Sequence, residues 1–242
     1  MNPSLAFHPA DPLSLAAFLA ICGWVLVLFL RTIWLSARRK GIPAAPRTAK
    51  MALAVAIWLA LLAAVVASGF VTSAPSHLPL FAGGVLLVTL VFGLSDGGDW
   101  VAAGSSVAAL VAFQSFRLPL ELILHVWARQ GVIPETMTWT GQNWDILSGI
   151  AALALAPFAT RSRAAAWIAN LIGITLLINV ARVAILSSPV PFGWEDVEPK
   201  LLLMARLPYA LIFPVCVAGA MLGHVMLTRV LLKRAAVKPV AL

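Results

Sequence analysis

Asp145, in the stretch GQNWDILSGI at residues 141–150, is a carboxylate at the threshold of an apolar run. Asn143 and Asp145 are of the types that cap helices, because a side-chain oxygen accepts from the free N–H groups of a first turn. Arg182 lies inside another apolar run, LLINVARVAILSS, with Asn179 three residues before it on the same helical face. A charge within a membrane span costs roughly 2.5–3.5 kcal/mol on insertion scales, so Arg182 needs a partner. Asp145 is the candidate. Measured from the turn TRSRAA, Asp145 stands 16 residues from Arg161 and Arg182 stands 19 from Arg163. At about 1.5 Å per helical residue both reach a similar height, and an Asp145–Arg182 contact follows. The alternatives are a capping role for Asp145 and a guanidinium at Arg182 that snorkels to headgroups.

A second set recurs every four residues: Glu121, His125 and Arg129. A Glu and a His one turn apart can do acid–base work, or the three can be the wet stripe of a surface helix. One His and one Glu are too few ligands for a metal, and no metal or cofactor is expected. Ser148 could act as a nucleophile only with a base beside it, and His125 is the base within reach through folding. His224 lies in GAMLGHVML beside Gly219 and Gly223, a small-xxx-small pair that predicts close helix packing. Cys22 and Cys216 are far apart in sequence inside apolar runs, and suggest neither a disulfide framework nor a zinc site.

The elements that must position these residues are membrane helices. Of 242 residues, 62% are apolar and 11% charged, against roughly half and a quarter in a soluble domain. Several runs approach the ~20 residues that cross ~30 Å of hydrocarbon. The expected fold is all-α: a polytopic transmembrane bundle, one integral membrane domain over 1–242, with about seven spans. The spans fall at about 13–37, 51–71, 80–94, 100–116, 145–160, 164–186 and 207–232. SDGGD at 95–99 reads as a tight link. Residues 117–145 read as an outer-face amphipathic segment between the fourth and fifth spans, with a helix at the membrane surface. Trp34, Trp100, Trp127, Trp139, Trp144, Trp167 and Trp194 fall near span ends, where an indole N–H finds water.

The formal charge of +8 is distributed as an orientation signal rather than a nucleic-acid surface. Arg31, Arg38, Arg39, Lys40, Arg47, Lys50, Arg161, Arg163, Arg229, Lys233, Arg234 and Lys238 fall on one side. Arg117, Arg129, Arg182, Lys200 and Arg206 fall on the other. The richer side is expected to be cytoplasmic, with the N-terminus outside and the C-terminus inside a bacterial-type inner membrane. The stretch MNPSLAFHPADP lacks the basic n-region of a signal peptide, so the first apolar segment is expected to be retained.

The C-terminal hundred residues resemble the exosortase and archaeosortase superfamily, membrane transpeptidases that process C-terminal sorting signals on the outer face. Three motifs occur in the family's order: LSGI at 147–150, NVAR at 179–182, and His224. Leu147 stands where that family carries its nucleophilic Cys, so the resemblance implies a divergent or inactive member. Three functions stay open at the level of sequence: a structural or assembly component of an envelope system, such a transpeptidase relative, and a transporter. The first is preferred, with the lipid bilayer and another envelope protein as partners and the outer segment as docking surface. Whether the chain is an enzyme is left open. Against transport, helices one to four offer almost no ionisable groups for a path.

Overall fold

Apolar helices dominate the computed structural model, which describes residues 6–74 and 76–236. Lys238 and the other residues beyond 236, and the first five residues of the N-terminal stretch, lie outside the described residues. The helices are α1 (Pro12–Arg39), α2 (Ala44–Ala67), the single turn α3 (Phe70–Ser73), α4 (His77–Leu94), α5 (Asp96–Ala103), α6 (Val107–Phe113), α7 (Arg117–Arg129), α8 (Ile146–Leu155), α9 (Arg163–Leu186) and α10 (Ala218–Ala236). No strand occurs among the described residues. Six segments there are long and apolar enough to cross a membrane: Pro12–Arg39, Ala44–Ser73, His77–Leu94, Val107–Arg129, Arg163–Leu186 and Tyr209–Lys233. The fifth expected span, 145–160, is represented by α8, whose ten residues are too short to cross alone. The chain is a multi-pass membrane protein.

Local chemistry sets the helix ends. Asp11 accepts from the Leu13 and Ser14 amides at 3.0 and 3.1 Å, Pro12 occupies the first helical position, and Gly41 beyond the far end takes the left-handed φ of 67°. The same carboxylate also accepts from Ser14 Oγ and from Gln130 Nε2, both at 2.5 Å, so it ties the start of α1 to the chain beyond α7. These bonds, the Ser14 hydroxyl foremost, lower its pKa from 3.8 to about 2. A depressed carboxyl contributes stability that is present above the unfolded value and lost as pH falls through the folded one. The latch is therefore expected to release between about pH 4 and 2. An NMR titration of Asp11 should give a midpoint near 2; a midpoint at 3.8 or above, or release that persists in Asp11→Asn, would exclude it.

Between α4 and α6 the sequence expectation needs correction. SDGGD opens α5, with Ser95 Oγ accepting from the Gly97 amide at 3.1 Å. The fourth span does not begin at Trp100, because the helix breaks after Ala103. There Gly104 packs so tightly on α1 that a Cβ would overlap the Thr32 carbonyl oxygen. Ser106 then caps α6 through the Ala109 amide at 3.1 Å. A tight 3-10 turn, Gln114–Phe116, joins α6 to α7 as one spanning segment, Val107–Arg129.

The surface helix expected at the start of 117–145 is thus the second half of a span. Its polar residues face inward: Arg117 and Glu121 are 2% and 1% exposed. The four-residue stripe does not act as a unit. Glu121 is buried, Arg129 is exposed at the helix end, and His125 stacks on Trp139 with ring centroids 4.2 Å apart. Trp127, expected at an interface, is fully buried and donates from Nε1 to Ser14 Oγ at 3.0 Å. Gly131, with φ 71°, ends α7.

Residues 130–145 then carry the chain back into the bundle with only a 3-10 turn at Glu135–Met137, burying Val132, Ile133, Met137 and Asn143. Irregular backbone at membrane depth is tolerated where the protein satisfies it. Here the Gly141 and Asn143 amides donate to the Thr138 carbonyl at 3.0 and 3.1 Å.

Candidate functional site

Asp145 lies where this returning chain meets α8, and it is deep in the bundle rather than at its rim. The counting that paired it with Arg182 assumed a helix from Arg161 to Asp145. Instead α8 stops at Leu155, and residues 156–162 form the turn to α9. Asp145 therefore rises only about 15 Å above that turn. On α9 the same rise from Arg163 reaches Gly173, nine residues short of Arg182.

The cation at that level is Arg117. Its Nε donates to Asp145 Oδ2 at 2.6 Å and its Nη2 to Asp145 Oδ1, a two-pronged ion pair. Its Nη1 donates to the Gly173 carbonyl at 3.1 Å and faces His224 Nε2 at 3.2 Å. Since a guanidinium only donates, His224 Nε2 accepts and the ring proton sits on Nδ1. That proton goes to Asn170 Oδ1 at 2.9 Å, and Asn170 Nδ2 donates to Thr228 Oγ1 at 2.7 Å. The donor directions along this branch leave one consistent tautomer for His224.

A second branch leads into the irregular segment. Ser148 Oγ donates to Asp145 Oδ1 at 2.9 Å, and the Asp145 amide donates to Asn143 Oδ1 at 3.1 Å. Asn143 Nδ2 donates to both Glu121 oxygens, at 3.0 and 3.1 Å, and to the Met137 carbonyl at 3.1 Å. Asp145 stands at the helix N-cap as expected, yet its carboxylate serves Arg117 and Ser148 rather than the first-turn amides. Asn143 makes the turn bond two residues on, as Asn side chains do.

Glycines admit the cluster. A Cβ at Gly173 would lie 2.6 Å from His224 Nε2; one at Gly149 would lie 2.5 Å from the Leu118 amide; one at Gly223 would lie 2.5 Å from Gln114 Nε2. The close packing expected at Gly219 and Gly223 is present at Gly223, where it brings α10 against the Gln114 turn; at Gly219 a Cβ would make only ordinary contact with Val25, at 3.4 Å. Gln114 Nε2 donates to the Ala220 carbonyl at 3.1 Å, while its Oε1 has no partner among the described residues.

The residues proposed for chemistry are not brought together. Ser148 bonds to Asp145, and His125 lies against Trp139. Arg182 is exposed and donates to Asn179 Oδ1 at 3.1 Å and Gln142 Oε1 at 3.2 Å, 5.8 Å from the Trp194 ring centre. Leu147 is 51% exposed and lies on the outward stripe of α8 with Trp144, Ile150 and Leu153. Sequence reasoning missed Arg117, Gln114, Asn170 and Gln142 as site residues. Arg117 stands four residues before Glu121, so the periodic stripe extended one turn further back. Asn170 could have been flagged as a second amide, besides Asn179, in an apolar span. The cysteines, read as unrelated, approach to 3.8 Å between sulfurs, with Cys22 on α1 and Cys216 in the π-helical turn Ile212–Val217.

Fold and site together define a multi-pass helical membrane protein with a buried arginine–aspartate pair pinning an irregular segment to its core. No protein-family model, curated protein or solved structure matches the chain.

Proposed function

We propose that the protein is a structural or assembly component of a bacterial-type inner-membrane envelope system, with residues 130–145 as the element offered to a partner. One observation carries this reading: Arg117, Asp145, Ser148, Asn143 and Glu121 are engaged with one another, and what they hold is that segment. Arg117 has three partners, and the Ser148 hydroxyl is committed to a carboxylate rather than to a base. The cluster therefore serves position more readily than turnover. At the end of the bundle where α7 finishes, the segment exposes Glu135, Thr140 and Gln142 beside Arg182. The distribution of basic residues supports an outside location for this end and for the N-terminus, with the C-terminus cytoplasmic.

A divergent, exosortase-like transpeptidase is the second reading. It is favoured by the packing of α9 against both α8 and α10; the three helices carry Asn179-x-x-Arg182, Ser148–Gly149 and His224 respectively. One experiment separates the two. Photo-crosslinking residues at Thr140 and Gln142 should capture a discrete protein from native membranes, and co-purification of that protein should be unchanged in Ser148→Ala and lost when 135–142 is replaced by a Gly/Ser linker. If Ser148→Ala or Arg182→Lys abolishes processing of a membrane-anchored substrate while insertion is normal, the scaffold reading is wrong.

A further inference from the structure

At the end of the bundle opposite the Asp11 latch, α5 is fastened across the end of α1. Ser36 Oγ donates to the Trp100 carbonyl at 2.6 Å, and Arg39 Nη1 donates to the Ala103 carbonyl at 2.5 Å. This fixes the indole of Trp100 beside the α1–α2 turn, where two cations share it. Lys40 Nζ is 5.3 Å and the Arg47 guanidinium 4.8 Å from its ring centre. Lys40, Arg47 and Arg39 are exposed. Thr48, the next residue, has a hydroxyl oxygen shielded from solvent with no hydrogen-bond partner among the described residues.

The charge here is only partly balanced from within the chain: Asp99 is near enough for Lys40 to act on it at longer range, but its ion pairs are made elsewhere. Asp99 is the carboxylate at this end that forms ion pairs, and its two oxygens are taken by Arg229 and Lys233, each at 2.8 Å. Those contacts, the Lys233 hydrogen bond first, hold its carboxyl below the usual range. Among the described residues no ion pair reaches Arg39, Lys40 or Arg47. Like charges gathered on one ring repel, and an anion between them relieves the repulsion while gaining both attractions. Trp is an interfacial residue, seated at headgroup level with its N–H towards water. Exposed apolar side chains flank the turn: Trp34, Ile42 and Leu53 are 39%, 43% and 62% exposed. A headgroup phosphate held at this turn would have its acyl chains beside hydrocarbon-facing surface.

We propose that Lys40, Arg47 and Trp100, with Arg39 alongside, form a binding site for the phosphate of an anionic phospholipid. The site needs only that the chain spans a membrane, and it stands whether or not residues 130–145 dock a partner. Specificity comes from net charge: a zwitterionic headgroup carries its own cation into a region that already holds several.

The test uses the full chain purified in a neutral detergent. Thermal unfolding is followed with phosphatidylglycerol, phosphatidylcholine or inorganic phosphate added, in the wild type, in the Lys40→Gln/Arg47→Gln double variant, and in Arg182→Gln. Phosphatidylglycerol should raise the wild-type midpoint more than phosphatidylcholine, and the gain should shrink at high salt. The double variant should unfold at the wild-type temperature in phosphatidylcholine yet bind phosphatidylglycerol about 30-fold more weakly, as expected for two basic residues near an anionic surface. Arg182→Gln should behave as wild type. If the double variant does not fold, the wild-type salt dependence and the Trp100→Leu variant, which keeps every charge but removes the ring, decide the matter. Equal stabilisation by phosphatidylcholine, an undiminished response in a folded double variant, or full reproduction of the effect by inorganic phosphate would each overturn the proposal.

Discussion

Arg117→Leu is expected to lower stability in detergent micelles by about 3–5 kcal/mol, the range for breaking a buried ion pair by removing one partner. The magnitude comes from what is left behind. Asp145 keeps only the Ser148 hydroxyl as a side-chain donor, at 5% exposure and with no other ion-pair partner among the described residues. The Gly173 carbonyl and His224 Nε2 lose a donor as well, and each unsatisfied buried group adds about 1–3 kcal/mol before relaxation.

A double variant, Arg117→Leu/Asp145→Leu, separates the charge from the hydrogen bonds. Replacing both members of a buried pair by apolar groups is often neutral, because the desolvation cost of the pair disappears with its attraction. Here recovery should be partial, since the double variant still leaves Gly173 and His224 unmatched and strands the Ser148 hydroxyl that donated to Asp145. Unfolding at the wild-type temperature in Arg117→Leu would show that the pair does not hold the bundle. Full recovery in the double variant would show that the two outer bonds of Arg117 contribute nothing.

Gly173→Ala should be nearly as damaging, although it adds one methyl group to a helix. The new Cβ would stand 2.6 Å from His224 Nε2 and 3.4 Å from Arg117 Nη1. The imidazole is held from its other side by Asn170 at 2.9 Å, so moving it breaks one bond or the other. Overpacking costs about 1–3 kcal/mol, and a stranded ring nitrogen adds to it. In the His224→Ala background the same change should cost almost nothing, giving a coupling energy of about 1–3 kcal/mol. Additive losses would mean that the methyl group is absorbed elsewhere. Gly84→Ala on α4 is the control: a Cβ there meets nothing within 4 Å, and alanine favours the helix.

The two variants concern residues that were unevenly legible in the sequence. Composition and long apolar runs made the all-α, multi-pass architecture readable, because the hydrocarbon layer admits few other solutions. Asp145 was also readable as a carboxylate in need of a cation. Its partner was misassigned because depth was computed from a helix that the chain does not make: residues 156–162 form a turn, and the assumed rise between Leu155 and Arg161 vanishes. Arg117 was hidden for a related reason. Hydropathy marks the polar end of α7 as a surface stripe, and nothing local distinguishes a side chain facing water from one facing His224 on another helix. The approach of Cys22 to Cys216 is of the same kind, set by how α1 meets the π-helical turn and by no feature of either segment alone.

The brevity of α8 reaches beyond the finished structure to how the chain enters the bilayer. Ten apolar residues give an insertion machinery too little greasy length to accept as an independent crossing. The natural unit of entry is therefore the α8–α9 hairpin, drawn in by the 24 residues of α9. At that moment Asp145 faces lipid or the translocation channel until the helix bearing Arg117, made earlier, closes upon it. Biogenesis of this protein is then ordered by charge as well as by hydrophobicity, with an arginine already in place waiting for its aspartate to arrive.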